Sequence, residues 1–418
     1  MPAVSVIMPV FNTIEHIEFA LDSLFVSTLE DFELICVDDG SEDGSKELLE
    51  RAAGSDDRVH LIETPRPRSG PGLARNLGLR VAQGDFIAYL DSDDSLAPEM
   101  LKELLSAATS CGAEVAIGPI EKFIIEPGDL RNQDCGYRRI LKHLDGQPFQ
   151  VGELGKSVLD LRFAVWNKIY RRDFLLKHSI LFPEGVFYED LYFTYRCLFE
   201  AETLVYANSA PYFNRKERIG ATTFGQSSRT FDIISQLNAT EKYLANNWPE
   251  SEVTNYFPVM KFRKLCSHFH KVSTAQVFEY FAALRESAAV VDMKKLTSEL
   301  SDRNQVRMQH CLTMNWLEFA TWSLWDSENR REIVSRRGAN RQDEVRRLRS
   351  RLEKEVRARE FAEKQLTHCS ERPWRFALRK SARTLKQRNA FARVLIGLGV
   401  TVTRIVRRVL QFRIVGIG

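Results

Sequence analysis

The stretch GPGLARNLGLRVAQGDFIAYLDSDDS, Gly70 to Ser95, holds one helix and the strand that follows it. GPGLARNLGLRVAQG reads as an amphipathic helix closed by Gly84 as its C-cap. DFIAYL is then a short apolar strand, and it ends in Asp91, Asp93 and Asp94, three carboxylates within four positions. Like charges that close raise one another's pKa and repel unless something positive sits among them. A turn is the plain explanation, because Asp and Ser favour turns and loop starts. A divalent cation held by hard oxygen ligands is the sharper one.

Outward from this stretch the same alternation repeats. VSVIMPV (4–10) is a continuous apolar, β-branched run, as a strand covered on both faces should be. Ile14, Ile17, Leu21, Leu24 and Thr28 follow at helical spacing. FELICVDD (32–39) is the next strand, SKELLERAA (45–53) its helix, and RVHLIET (58–64) a third strand. PEMLKELLSAATSCG, entered through Pro98, is the helix after the fourth. Four β-α units in about 110 residues predict an α/β fold with a doubly wound, mostly parallel sheet.

Beyond this the pattern changes. Residues 121–165 blur into Gly, Pro and charge and read as a surface excursion. Order returns with AVWNKIYRRDFLLKHSI, with a helix starting near Glu189, and with the strand-like TLVYANSAPYF. The expected division is a domain over 1–225, a helical domain over 226–335, a charged helix or linker over 336–371 and a basic helical tail over 372–418. CSHFH, with Cys266, His268 and His270, offers two ligands on one helix face, too few for a zinc site.

Bulk composition narrows the class. An apolar share of 44% and a charged share of 28% in 418 residues describe a globular chain of two or three structural units. Net charge is +3, but residues 372–418 carry twelve Lys or Arg and no Asp or Glu, so the first 371 residues sum to −9. Mixed with Trp374, Phe376, Leu378 and Leu385, that charge suits a helix lying on an anionic membrane surface, with docking on the acidic body as the alternative. The apolar run 394–403 is too short to cross a bilayer and has no evident use on nucleic acid. Seven scattered cysteines without a C-x-x-C pair, and a start without a signal peptide, predict a cytoplasmic protein.

In an open α/β sheet, ligands sit outside the carboxyl ends of the strands. There this chain places PVFN (9–12), VDDGSEDGS (37–45), the helix start SGPGLARN and DSDD (91–94). A helix N-terminus offers N–H groups to an anion, and Asp accepts from a base or a ribose hydroxyl.

VSVIMPVFN, VDDGSEDGS, GLARNLGLRVAQGDFIAYLDSDD and FYEDLYFTYRCL together resemble the family 2 glycosyltransferases of the GT-A fold, over roughly the first half of the chain. The resemblance implies a GT-A nucleotide-diphospho-sugar transferase sheet and transfer of a sugar from a nucleotide-diphosphate donor, a UDP-sugar by preference, to an acceptor hydroxyl. It implies that Pro9 and Phe11 line the base pocket and that Asp39 hydrogen-bonds the uracil. Asp91 and Asp93 would be the two ends of the D-x-D motif, with Asp93 on a Mg²⁺ or Mn²⁺ bridging the diphosphate and Asp94 in support. Asp190 would be the general base, and one base opposite the leaving group implies inversion. The family's basic residue near the base pocket has three candidates here, Arg66, Arg68 and Arg75, of which Arg75 is kept in the nucleotide-binding set. Trp166, Asn167 and Lys168 recur near the acceptor side of related enzymes, although Trp166 reads equally well as core. RKERIGATT (215–223) is either a basic lid or a plain loop.

The expected partners are a nucleotide sugar, a carbohydrate or lipid-linked acceptor and the inner face of the cell membrane, with no nucleic acid. The expected setting is cell-envelope or extracellular polysaccharide synthesis. The competing reading is a catalytically inactive, membrane-recruited module of the same fold, against which the complete set Asp39, Asp91, Asp93 and Asp190 argues.

Overall fold

The computed structural model describes residues 1–124, 137–208, 210–216, 228–273, 275–294, 296–315, 318–320 and 322–323. The charged helix expected at 336–371, the basic tail at 372–418 and most of the expected lid at 215–223 lie outside the described residues.

The chain opens with β1 (Val4–Val10), α1 (Ile14–Phe25), β2 (Phe32–Asp38), α2 (Ser45–Ala53), β3 (Val59–Glu63), α3 (Pro71–Val81) and β4 (Phe86–Tyr89). All seven residues of β2 are buried, as the unbroken apolar run requires of a strand covered on both faces. β1 pairs in parallel with β2 on one side and β4 on the other, and β2 carries β3. The order β3-β2-β1-β4 therefore reverses direction at β1, and a topological switch point lies between the carboxyl ends of β1 and β4. Two glycines let α3 approach closely. A Cβ on Gly78 would come within 2.5 Å of Ile7 Cγ2, and one on Gly72 would strike the Pro183 carbonyl oxygen.

The next elements are β5 (Ser95–Leu96), α4 (Met100–Cys111), β6 (Val115–Ile117), β7 (Ile120–Ile124), α5 (Tyr137–Leu141), β8 (Pro148–Phe149), β9 (Lys168–Arg171), α6 (Arg172–Lys177), α7 (Glu189–Glu200), β10 (Leu204–Tyr206) and β11 (Tyr212–Lys216). They complete an eight-stranded sheet, β3-β2-β1-β4-β9-β6-β10-β8, and a small sheet, β5-β11-β7. The large sheet is mixed, because β9 runs antiparallel between β4 and β6. TLVYANSAPYF divides between the two sheets, β10 in the large one and β11 in the small one.

Two local expectations are corrected. Gly84 does not cap α3, which ends at Val81 with Ala82 as its C-cap; the Gly84 N–H instead donates to Ser5 Oγ at 2.8 Å. Residues 137–161 are not a surface excursion, since Tyr137, Leu141, Val151, Val158 and Leu159 are all buried in the core. Charged neighbours on the outward side hide that burial in the sequence.

Helices α8 (Asp232–Asn247), α9 (Glu252–His268), α10 (Val277–Met293) and α11 (Asp302–Thr313) follow, the helical region expected after the sheet. All described residues fall in one compact unit, Met1–Ile124 with Arg131–Glu328. The Phe187 N–H donates to Asp232 Oδ2 at 2.9 Å, tying the approach to α7 to the start of α8. Among the described residues no helix is long and apolar enough to cross a membrane, and Cys36, Cys111, Cys197, Cys266 and Cys311 are free.

Candidate active site

Four loops meet at the carboxyl ends of β1, β2 and β4, and hydrogen bonds between them fix their shape. After β1, Asn12 takes a left-handed backbone (φ 49°). Its N–H donates to Ser41 Oγ at 3.0 Å, and its Oδ1 accepts from the Glu42 N–H at 2.9 Å. Asp43 accepts from the Ile14 N–H at 2.9 Å and from Ser45 Oγ at 2.6 Å, so one carboxylate serves the starts of both α1 and α2. Its pKa is lowered: burial opposes this, but these hydrogen bonds outweigh it.

Asp39 is buried, and its carboxylate ties down the loop that leads into α3. It accepts from Thr64 Oγ1 at 2.7 Å, the Ser69 N–H at 2.9 Å and the Gly70 N–H at 2.7 Å. The adjacent Arg68 backbone is also left-handed (φ 60°), and its guanidinium lies 5.8 Å from the centroid of the Phe11 ring. Phe11 is 37% exposed, an apolar face left open beside the strand ends. Phe11, Arg68 and the Asp39-bound loop thus lie together, with Pro9 partly buried near the end of β1.

The acidic end of β4 divides into three environments. Asp94 is buried and accepts from Asn214 Nδ2 at 3.0 Å and the Arg215 N–H at 2.7 Å, clamping β11 to the loop. Asp91 accepts from Arg75 Nη2 at 2.9 Å, while its own N–H donates to the Tyr212 hydroxyl at 3.1 Å. Asp93 is partly exposed, and its carbonyl accepts from Arg215 Nε at 2.6 Å. Burial raises the pKa of both Asp91 and Asp94; Arg75 opposes the rise at Asp91, and Asp93 adds to both.

Arg75, near the start of α3, has partners of its own. Its buried guanidinium bridges Asp91 to Glu189 Oε1, the latter at 2.5 Å, and lies 5.2 Å from the centroid of the Phe182 ring. Burial alone would lower its pKa, but Asp91 and Glu189 outweigh that and raise it. Asn76, one residue on, exchanges hydrogen bonds with Phe182 at 2.9 Å in each direction and so holds that loop against α3.

Asp190 is the second residue of α7, which begins after Tyr188, whose left-handed backbone (φ 61°) turns the chain into the helix. Its pKa is pushed up to about 8, by burial first and by Glu189 second, against the pull of Arg75 and Arg162. Lys168 is fully buried, donating to the Tyr137 hydroxyl at 2.9 Å, Ala164 O at 2.5 Å and Asn167 Oδ1 at 2.8 Å. Burial pushes its ammonium down to about 7. Trp166 is 6% exposed and stacks on Tyr212 at 4.2 Å, so it is a core residue that borders the site.

Asp91, Asp93 and Asp190 are thus brought to one end of the sheet with Asp39, Phe11 and Pro9. Arg162 and Asn214 were not singled out in the sequence, because their partners are long-range and no local spacing marks them. Among the described residues no group of three or more His, Cys, Asp or Glu side chains is arranged to hold a metal. Magnesium-type sites commonly use one or two carboxylates and complete the shell with substrate phosphates and water. The hard oxygens of Asp91 and Asp93, beside carboxyls whose pKa values burial raises, fit that kind of cation.

Residues 5–175 match the model of glycosyl transferase family 2. They belong to that family. The chain is 32% identical over 217 residues to the putative glycosyltransferase EpsH of Bacillus subtilis, covering 51% of this chain and 61% of EpsH. It is 35% identical over 187 residues to the succinoglycan biosynthesis protein ExoO of Rhizobium meliloti, covering 44% of this chain and 52% of ExoO. The chain therefore spans less than two thirds of the length of these relatives. A crystal structure of S. aureus TarS 1–349 with UDP-GlcNAc superposes with a TM-score of 0.61 at 20% identity, over 79% of this chain and 92% of that one. The shared fold is GT-A.

Proposed function

We propose that this chain is an inverting glycosyltransferase that moves a hexosyl or N-acetylhexosaminyl group from a nucleotide-diphosphate donor to an acceptor hydroxyl. The observation that carries this is the convergence of the Asp39-bound loop, the Asp91–Asp93 turn and the Asp190 helix start beside the switch point between β1 and β4. Phe11 and Pro9 offer the base an apolar wall, with the Arg68 guanidinium 5.8 Å from the Phe11 ring centroid. Asp39 shapes the loop around the base and keeps acceptor capacity for it.

Asp93, with Asp91, would hold Mg²⁺ or Mn²⁺, which when bound supplies positive charge to the departing diphosphate. Arg75 keeps Asp91 and Glu189 in place. Asp190 takes the acceptor's proton as the new bond forms, from the face opposite the leaving group. A displacement with one base and no enzyme nucleophile inverts the anomeric centre.

UDP-sugars are the first donors to test, since TarS was solved with UDP-GlcNAc. Kinship with ExoO supports a place in envelope or extracellular polysaccharide synthesis. The twelve basic residues of 372–418 support attachment to an anionic inner membrane surface, near a lipid-linked acceptor. A thermal-shift screen of nucleotide sugars with Mn²⁺ tests the core of the reading, because a ligand at about 100 times its Kd stabilises by about 2.7 kcal/mol. A shift with one UDP-sugar that EDTA abolishes is expected; no shift with any nucleotide sugar refutes it and favours an inactive module.

A further inference from the structure

Helix α3 begins after Gly70, whose N–H Asp39 holds, so its N-terminus is bound into the donor-side loop. On one face, at positions i, i+3 and i+4, Gly72, Arg75 and Asn76 meet the chain that leads into α7. That chain, Phe182 to Tyr188, contains no helix or strand, so contacts from outside must fix its path. Asn76 is 1% exposed and uses both ends of its amide there. Its Nδ2 donates to the Phe182 carbonyl and to Glu184 Oε1, and its Oδ1 accepts from the Phe182 N–H, each at 2.9 Å. Gly72 supplies the room, because a Cβ there would strike the Pro183 carbonyl oxygen.

The Phe182 ring carries that hold onward. It stacks on Phe193 of α7, with centroids 3.8 Å apart, and meets Tyr89 at the end of β4 edge-on at 5.2 Å. At the far end of the segment Arg75 holds Glu189, the residue before Asp190. One helix thus joins the loop that Asp39 ties down to both ends of the segment before Asp190. An apolar residue at 76 could fill the same volume, yet it would leave the buried Phe182 N–H and carbonyl unanswered. An amide that answers both groups at once fixes the register of the segment as well as its burial.

We propose that Asn76 is a positioning residue for the base: through Phe182 and Glu184 it sets where the start of α7, and so Asp190, stands relative to the donor-side loop. This rests on the glycosyl-transfer reading, in which Asp190 takes the acceptor's proton. Asn76 touches no reacting atom. Its effect is on the alignment of the base, where a displacement of about 1 Å can cost about 100-fold in rate. The groups assigned to the nucleotide and its cation, Phe11, Asp39 and Asp93, keep their own supports, so turnover and nucleotide affinity separate.

The test uses full-length protein with Mn²⁺. Calorimetry gives UDP affinity and the number of UDP sites. Turnover is UDP release from UDP-glucose, UDP-galactose, UDP-GlcNAc or UDP-GalNAc with water as acceptor, expressed per UDP site so that misfolded protein does not count. On the donor that wild type cleaves fastest, Asn76→Ser is expected to lower kcat about 10- to 100-fold, with UDP affinity within about threefold. Asn76→Asp keeps the shape but sets a carboxylate against Glu184 and the Phe182 carbonyl, and a similar loss is expected. Adding Glu184→Gln to Asn76→Asp gives that carboxylate an N–H to accept from, and part of the turnover is expected to return. Wild-type kcat in Asn76→Ser overturns the proposal, as does UDP affinity falling in proportion to kcat. Glu184 is exposed, so Glu184→Ala serves if the Asn76 variants fail to fold. It removes one partner of Asn76 and is expected to lower kcat about two- to fivefold, and an unchanged kcat overturns the proposal. If wild type binds UDP but cleaves no donor on water, hydrogen exchange replaces turnover. UDP with Mn²⁺ is then expected to slow the amides of 182–191 in wild type and not in Asn76→Ser (or Glu184→Ala), and an equal response overturns the proposal. A wild type that neither binds UDP nor releases it strikes the glycosyl-transfer reading and this proposal with it, whereas variants that match an active wild type strike this proposal alone.

Discussion

Arg75 and Glu189 stand 114 positions apart and meet at 2.5 Å inside the protein, with the side chains 6% and 9% exposed. The same guanidinium holds Asp91 at 2.9 Å, so one buried cation fixes the acidic end of β4 against the start of α7. Removing it would leave two carboxylates without their counter-charge. Arg75→Met should cost about 3–5 kcal/mol in urea unfolding, the usual scale for breaking a buried pair from one side. Arg75→Lys should recover only part of this, because a single ammonium cannot reproduce two forked bonds. A loss below about 1 kcal/mol for Arg75→Met would show that the bridge is dispensable.

Asp93 and Asp94 are adjacent in sequence and differ in surroundings, so their variants should fail differently. Asp94→Ala strips the acceptor from Asn214 and the Arg215 N–H and should lower stability by about 1–3 kcal/mol while keeping metal-dependent UDP binding. Asp93→Ala should keep stability and lose that binding. Calorimetric UDP titrations with Mn²⁺ and with EDTA, set beside melting curves, separate the two. Equal loss of binding in both variants, or UDP binding indifferent to EDTA, would sink the assignment of the cation to Asp93.

The β-α units and the placing of the site were legible because their signals are local. β1 and β2 are unbroken apolar runs, and Asp39, Asp91 and Asp93 follow strand ends, where a parallel sheet delivers ligands. What escaped was set by distant partners. Tyr137 reads as part of a polar stretch, yet it is fully buried because Lys168 donates to its hydroxyl and packs over its ring. Arg75 could be placed near the site but not given its role, since Glu189 shares no sequence spacing with it. Gly84 looked like a helix cap, and only the fold reveals that its N–H serves Ser5 on β1.

Asp39 holds three donors from the loop before α3, and this gives its substitution two consequences. Asp39→Ala should release the loop, cost about 1–3 kcal/mol of stability and weaken UDP binding. Asp39→Asn retains one acceptor oxygen and should lie between wild type and Ala in both measures. Hydrogen exchange at the Ser69 and Gly70 amides checks the mechanism directly. Unchanged protection at those amides in Asp39→Ala would contradict it.

The last prediction concerns Asp190, whose pKa lies near 8 because burial and Glu189 disfavour its charged form. A general base works only when ionised, so kcat/KM of the free enzyme should fall about tenfold per pH unit below that value. An ordinary exposed carboxylate would instead give a limb near 4. The sign for stability follows from the same shift. A carboxyl whose folded pKa is raised favours the fold while it is protonated, and that contribution is lost as pH rises from about 4 through about 8. Asp190→Asn cannot ionise, so its melting temperature relative to wild type should climb across that range. Its turnover should drop by about two to four orders of magnitude while UDP affinity survives, since the amide keeps the size of the carboxyl but accepts no proton. The pH–rate profile and the paired melting series must agree. A limb near 8 without a stability trend would assign the titration to another group, and near-normal turnover in Asp190→Asn would move the base elsewhere.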